Sequence, residues 1–350
     1  MRKKILITVF RGLSASNILR SGVLDGLVQS GLQIVLLTTR ERESYYQKEF
    51  QHKQVSVIGI TESKEKIGDA VIRFLAQNSV LKERLLFKHV EDLYAHKTLG
   101  ALIRFFFKRA IGFLGLIPGV RAGIRMLALR LVPSHLEINA LLRRENPHLV
   151  FSADVVCDTD VIILREAKRL GMATIGLVSG WDNLTNPGLL RIVPDMLLVH
   201  SPWLGRAALE RQGVAEEKIK MVGIPQYDSL FRKSFLKPRA AFLESLGFDL
   251  KSRLILFAAM GSSRLAPYEW ETPQMINDAI ERGDLLPECV VVARPHPKYG
   301  IQGIHAKKPE GRHLLIDEPA KYLGESVETL EMEKSHMDHL ANLLYHADVV

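Results

Sequence analysis

Short apolar runs recur along this chain, and each ends in a polar loop followed by a helical pattern. The first is KILITVF, which leads into RGLSASNILRSG and then a helical pattern to about Ser30. QIVLLTT and VSVIGI (55 to 60) follow. After residue 145 the pattern resumes with HLVFSAD, a helix around 158 to 170, ATIGLVS, DMLLVHS, a helix at 204 to 212, and IKMVGIP. Strands that are apolar throughout must be covered on both faces, which is the situation of a parallel sheet between helices. Their alternation with helices predicts a doubly wound α/β architecture.

A connector, GIPQYDSLFRKSFLKPRAAFLESLGFD, interrupts the alternation, which then restarts. The second series is RLILFAAMGSS, a helix near 271 to 281, CVVVARPHP, HLLID, a helix near 335 to 346, and ADVV. A length of 350 residues fits two domains. The expectation is an α/β protein with two Rossmann-like domains facing a cleft. The first spans 1–228 and carries a mostly helical, basic insertion at about 64–145. The second spans 229–350. Because the chain stops at Val350 within an apolar run, the second domain is expected to be incomplete; a natural edge strand is the alternative.

Two cysteines, Cys157 and Cys289, sit in or beside apolar runs, which argues against a disulfide framework or a zinc site and fits a reducing compartment. The opening MRKKILITVF is too short in apolar length for a signal peptide. No run of 18 uncharged apolar residues occurs, so no transmembrane helix is expected. The formal charge of +8 is concentrated. Between Asp92 and Glu137 there is no acidic residue, but there are Lys97, Arg104, Lys108, Arg109, Arg121, Arg125 and Arg130. They are interleaved with bulky apolar residues rather than polar ones, which disfavours nucleic acid as a partner. The pattern suits an anionic membrane surface reached through 93–136. A pair of core helices with arginines reaching solvent is the competing reading.

Polar clusters fall where strand ends are expected, the place where such sheets bind ligands. After the first strand this gives FRGLSASN with Asn17; further on come SADVVCDTD with Asp154, and SGWDNLTNPG with Trp181, Asp182, Asn183 and Thr185. The second series offers MGSSR, which is Gly261, Ser262, Ser263 and Arg264, and RPHPK with Arg294 and His296. A glycine followed by hydroxyls and amide donors suits phosphate oxygens, although Gly-Ser-Ser also caps helices. In RPHP two prolines stiffen a loop that holds a guanidinium beside an imidazole, a pair suited to a diphosphate. The DTD at 158–160 could pair as metal ligands, but aspartates also favour helix starts. HMDH at 336–339 is equally unspecific. The first loop lacks the three spaced glycines of a dinucleotide site, and no P-loop or nucleophile elbow is present.

Together, VGIPQYD before the connector, MGSSR and RPHP resemble the GT-B glycosyltransferase superfamily. More narrowly, they resemble bacterial surface-polysaccharide transferases and their CDP-glycerol glycerophosphotransferase relatives. WDNLT followed by PD and a strand is similar to the acceptor-side loop of capsule-type transferases. The resemblance implies metal-independent, cofactor-free transfer of a sugar from a nucleotide-activated donor of UDP or CDP type. The acceptor would be a surface polysaccharide or a lipid-linked molecule, and the enzyme would be cytoplasmic or peripheral on the inner face of the cell membrane. In that scheme Gly261, Ser262, Ser263, Arg264, Arg294 and His296 bind the donor in the second domain. Asn17, Trp181, Asn183 and Thr185 lie on the acceptor side. Asp154 and Asp182 are candidate bases, with His296 at the leaving phosphates. A CDP-glycerol-type glycerophosphotransferase, a UDP-sugar 2-epimerase-like enzyme and a non-catalytic GT-B protein are the alternatives. The family's next donor loop would follow ADVV, where this chain stops, so the resemblance also raises the expectation of an inactive chain.

Overall fold

The computed structural model describes residues 3–61, 65–80, 86, 90–91, 94–95, 98–117, 119–185, 188–233, 235–261, 266, 268–297, 308–323 and 329–350. The chain forms two compact units: one is Met1–Phe10 with Val23–Pro225, the other Arg11–Gly22 with Gln226–Val350. The boundary therefore lies three residues before the expected 228, and the segment after the first strand groups with the second unit rather than the first.

Unit 1 is built on seven parallel strands, β1 (Lys4–Thr8), β2 (Gln33–Thr39), β3 (Val55–Ile60), β4 (Leu149–Ser152), β5 (Ala173–Leu177), β6 (Met196–Val199) and β7 (Ile219–Met221). Their order is β3-β2-β1-β4-β5-β6-β7, so the winding reverses between β1 and β4. The apolar runs are buried as their composition requires: Leu6, Val35, Leu37 and Val150 pack with Ile138, Leu142, Ile162 and Ile163. Those last four belong to α7 (Leu136–Glu145) and α8 (Asp158–Arg169). Burying each such side chain contributes about 1.5–3 kcal/mol.

The insertion is helical as expected, with α4 (Ile67–Asn78), α5 (Leu99–Leu114) and α6 (Val120–Arg130). α5 ends before and α6 begins after Pro118, which itself lies outside the described residues. Ile72 and Ala76 of α4 interlock with Ile124 and Ala128 of α6. A buried charged network fixes α4 to α8. Arg165 donates to Asp69, which also hydrogen-bonds His135 at 2.9 Å. Glu166 accepts from Ser134, Asn139 and Arg169. Burial alone would raise the pKa of Asp69, but its bonds to Arg165 and His135 hold it below the usual carboxylate range.

Unit 2 holds a parallel sheet of β8 (Arg253–Ala258), β9 (Cys289–Arg294) and β10 (Leu314–Ile316) in the order β10-β9-β8. Val349 makes a parallel bridge to Ile255, so ADVV adds only a single bridge beside β8. Helices α11 (Arg239–Ser245), α12 (Glu271–Glu281) and α13 (Lys334–His346) accompany this sheet, and Phe242 and Leu343 bury against Leu254, Leu256 and Val292. A small antiparallel pair, β11 (Lys321–Tyr322) and β12 (Leu330–Glu331), packs against α1 (Gly12–Ile18). The sequence RGLSASNI reads as a polar loop, but it is helical because small residues let it approach that pair closely. A Cβ on Gly12 would come within 2.3 Å of the Leu330 carbonyl oxygen. Ser16 Oγ donates to the Met332 carbonyl at 2.9 Å, and the buried pair Arg20–Glu331 closes at 2.9 Å.

Candidate functional site at the strand ends

In unit 1 the reversal between β1 and β4 gathers a buried polar cluster. Ser152 Oγ, at the end of β4, donates to Asp160 Oδ1 at 2.8 Å, and Thr8 Oγ1, at the end of β1, donates to the same oxygen. Burial and, next, the charge of Asp154 push the Asp160 pKa up to about 7, against the opposing bonds from Thr8, Ser152 and Cys157. Asp154 is itself buried and accepts from the Val156 amide at 3.1 Å. The expected base is thus one of two coupled carboxylates. Asp160 was not among the expected site residues, because DTD also reads as a helix start, which it is. Only the folding of Thr8 and Ser152 onto it reveals the cluster.

The tryptophan loop follows β5. Leu184 is fully buried, while the Trp181 ring projects outward and is 74% exposed. Asn183 Nδ2 donates to Ser179 Oγ at 2.8 Å, and Thr185 donates to the Asp182 carbonyl through both its amide and its hydroxyl. Asn183 and Thr185 therefore shape the turn, and the exposed ring and the half-buried Asp182 are what the turn presents. The far end of the loop is held by Gln212, whose amide donates to the carbonyls of Leu184 and Gly188 and accepts from Leu190. Gly188 has φ +105°, and a Cβ there would strike the Gln77 backbone at 2.5 Å. Arg125 reaches the carbonyls of Leu190 and Gln212, and Arg121 that of Arg211. Burial, with Arg121 nearby, lowers the Arg125 pKa to about 10. Arg125, half-buried, and Arg121, nearer the surface, thus cap backbone carbonyls instead of facing a membrane surface.

Between this loop, α4 and the end of β4 lies a cavity of about 140 Å³, with Arg73, Val155, Asp158, Gly188 and Arg191 in its lining. Arg73 pairs with Glu65 at 2.7 Å and Arg191 with Asp158 at 2.5 Å. After β6 comes His200, half-buried, with Nε2 lacking any partner. Burial lowers its pKa, so the ring is a neutral imidazole at pH 7. Its only sequence signal was its position directly after DMLLV.

In unit 2 the end of β8 presents backbone donors. The amides of Met260 and Gly261 both donate, at 2.7 Å, to the two carboxylate oxygens of Glu269. Gly261 has φ +74°, the left-handed conformation that turns consecutive amides toward one anion. Ser262, Ser263 and Arg264 lie outside the described residues. Arg294, expected to contact a donor, is buried with its guanidinium on Asp317 and the Pro319 carbonyl. It supports the loop that follows rather than reaching out of it. Asp317 also bonds His339 at 2.9 Å. Burial would raise the Asp317 pKa, but His339 and Arg294 together hold it below its ordinary value. The RPHP loop is tied at both ends, by the Ala259 amide on the Arg294 carbonyl and by the Tyr322 hydroxyl on that of Pro297. His296 is exposed between the ties. Asn17 belongs to α1 in unit 2, not to the first domain as expected; it is 1% exposed, and neither its Oδ1 nor its Nδ2 has a partner. Among the described residues, no three His, Cys, Asp or Glu side chains come together as a metal-ligand set.

No protein-family model matches this chain, and no curated protein matches it either. Solved structures do. A crystal structure of a putative UDP-N-acetylglucosamine 2-epimerase from Listeria monocytogenes aligns over 99% of this chain and 73% of its own, at TM-score 0.52 and 12% identity. The chain has a GT-B fold. Another UDP-N-acetylglucosamine 2-epimerase aligns at TM-score 0.48 and 9% identity, covering 99% of this chain and 73% of its own. A glycosyltransferase from Rickettsia africae aligns at 0.45 and 10%, covering 98% and 71%. At these identities the likeness concerns the GT-B fold alone. Among the described residues, no helix is long and apolar enough to cross a membrane.

Proposed function

We propose that this GT-B chain is a glycosyltransferase that moves a sugar from a nucleotide-activated donor to a surface polysaccharide or a lipid-linked acceptor presented at an anionic membrane. The observation that carries the reading is the pair of amides at Met260 and Gly261, both aimed at a carboxylate at the end of β8. Two converging backbone donors there form an anion seat of the kind that takes a phosphate oxygen. In this reading Glu269 is the seat's resident anion and a donor diphosphate displaces it. His296, on its doubly tied loop, adds a donor to the leaving phosphate, and Arg294 is a positioning residue. On the acceptor side, Trp181 offers an apolar ring to a sugar or prenyl-type carrier. Asp182, presented by the same turn as Trp181, takes the acceptor hydroxyl proton. Asp154, buried beside Asp160, shapes the floor of the site.

A second reading, a UDP-sugar 2-epimerase, is favoured by the coupled carboxylates Asp154 and Asp160 at the point where the winding reverses. Such chemistry needs acid–base carboxylates within reach of the substrate. Calorimetry with UDP-, CDP- and dTDP-linked sugars, followed by product analysis with and without an acceptor glycan, separates the readings. Nucleotide release that requires the acceptor supports transfer. Epimer formation without acceptor supports the second reading, CDP-glycerol turnover the glycerophosphotransferase alternative, and no binding of any donor overturns all three.

A further inference from the structure

Helix α5 is amphipathic in the inverse sense. Its inward side is lined by Ala101, Ile111 and Gly112. Close packing there is demanding: a Cβ on Gly115, just past the helix, would meet the Ser79 carbonyl oxygen at 1.8 Å. The opposite side follows the helical repeat through Leu99, Ile103, Phe106, Ala110 and Phe113, and all five are exposed. Leu99 is 74% exposed, Ile103 and Phe106 62%, and Phe113 56%. Phe107, also exposed, stacks on Phe74 of α4 at 6.2 Å between ring centroids, so the apolar surface continues onto that helix, where Val71 and Ile67 are open as well. Beyond α5 it runs through exposed Leu116 and Ile117. Water-facing stripes of this size, made of Phe, Ile and Leu, mark a surface that is covered in use.

The charges beside the stripe identify what covers it. Arg104 is exposed and Arg109 partly so, and by the helical repeat they border the apolar surface on its two sides. The Arg109 guanidinium lies 5.3 Å from the Phe113 ring centroid, at the edge of the stripe. No acidic residue occurs from 93 to 136. A protein partner or a second copy of this chain would have to supply all the negative charge against a basic rim. An anionic bilayer supplies acyl chains to the stripe and phosphates to the rim in the same plane.

We infer that α5, extended by Phe74 of α4, seats unit 1 in the interface of an anionic lipid bilayer, with Leu99, Ile103, Phe106 and Phe113 in the acyl boundary and Arg104 and Arg109 at the phosphates. The inference names the membrane-side partner in the proposed function and rests on that reading only for its purpose. Its test therefore uses no donor or acceptor.

The full chain is sedimented with extruded vesicles of phosphatidylcholine alone or with 30 mol% phosphatidylglycerol added (about a third of the lipid, an anionic content of the order met in membranes). At low salt, partitioning to the anionic vesicles is expected to exceed that to neutral ones at least about tenfold, and to fall as salt screens the rim. The double variant Ile103→Asp, Phe106→Asp removes apolar surface at exposed positions. It is expected to keep the melting temperature and lose vesicle binding by about tenfold or more. Phe106→Trp is expected to be quenched by brominated acyl chains, a readout that depends on depth and not on charge alone. Equal binding by the double variant, no quenching, or no binding at low salt overturns the inference. So does concentration-dependent dimerisation that the double variant abolishes while vesicle binding is absent. Vesicle binding without any sugar transfer leaves this inference standing and removes the enzymatic reading.

Discussion

Glu269 places a negative charge where the reading of unit 2 needs a phosphate, so the residue competes with its own ligand. Glu269→Gln keeps the size of the side chain and a carbonyl oxygen for one amide but removes the charge. Nucleotide-sugar affinity is expected to rise about tenfold, which corresponds to about 1.4 kcal/mol. Calorimetry checks this, and a fall in affinity would show that the carboxylate organises the loop for the donor instead. Asp160 carries a different kind of prediction. Its folded pKa of about 7 is above its ordinary value, so the fold prefers the protonated form. Its contribution to stability is then complete below about pH 4 and is lost as pH rises through about 7. Asp160→Asn mimics the protonated acid and still accepts from Thr8 and Ser152. Relative to the native chain it is expected to be more stable at pH 8 than at pH 4, by roughly 2–4 kcal/mol. Urea unfolding at the two pH values measures the gap, and an equal difference at both would mean that Asp160 titrates like an exposed carboxylate.

At the scale of elements, the strands were the legible part. KILIT, QIVLLTT, CVVVAR and RLILFA announce themselves because a strand buried on both faces can hold little but apolar residues. The helices at 158–169 and 271–281 followed from their periodicity. What could not be read was anything fixed by a distant partner. RGLSASNI lacks an apolar stripe, and its helix packs closely on β12 and bonds the Met332 carbonyl just past it, more than three hundred residues on. Arg294 looked like a ligand contact until Asp317 took its guanidinium, and Asp160 like a helix cap until Thr8 and Ser152 closed on it. The tryptophan loop is an intermediate case, its location legible and its clamp not. Gln212 satisfies three backbone groups of that loop from one fully buried amide. Gln212→Leu leaves all three without a partner and is expected to cost about 2–4 kcal/mol, since each unsatisfied buried group costs about 1–3 kcal/mol and some relaxation occurs. Chemical denaturation reads the loss. A change below about 0.5 kcal/mol, the range of an ordinary surface substitution, would mean that water replaces the clamp without penalty.

For the whole molecule, the pair Arg20–Glu331 ties together stretches of chain more than three hundred positions apart. Both side chains are almost wholly buried, so deleting one takes away the ion-pair partner of a buried charge. Arg20→Met is expected to destabilise unit 2 by about 3–5 kcal/mol. In a thermal scan this should appear as an early transition separate from that of unit 1, and a single unchanged transition would contradict it.

The same arrangement sets an order of events during synthesis. Ser16 and Met332 are 316 positions apart. At about 5–20 residues per second, the segment Arg11–Gly22 leaves the ribosome roughly 15–60 s before the strand that will hold it. Residues 23–225 can meanwhile close around their own sheet, because every strand they pair with is already out. The early segment must stay unclaimed through that interval, with Asn17 and three serines keeping it soluble where a run of leucines would be drawn into the first core. Unit 2 is thus completed after unit 1, and its completion retrieves a piece made before most of unit 1.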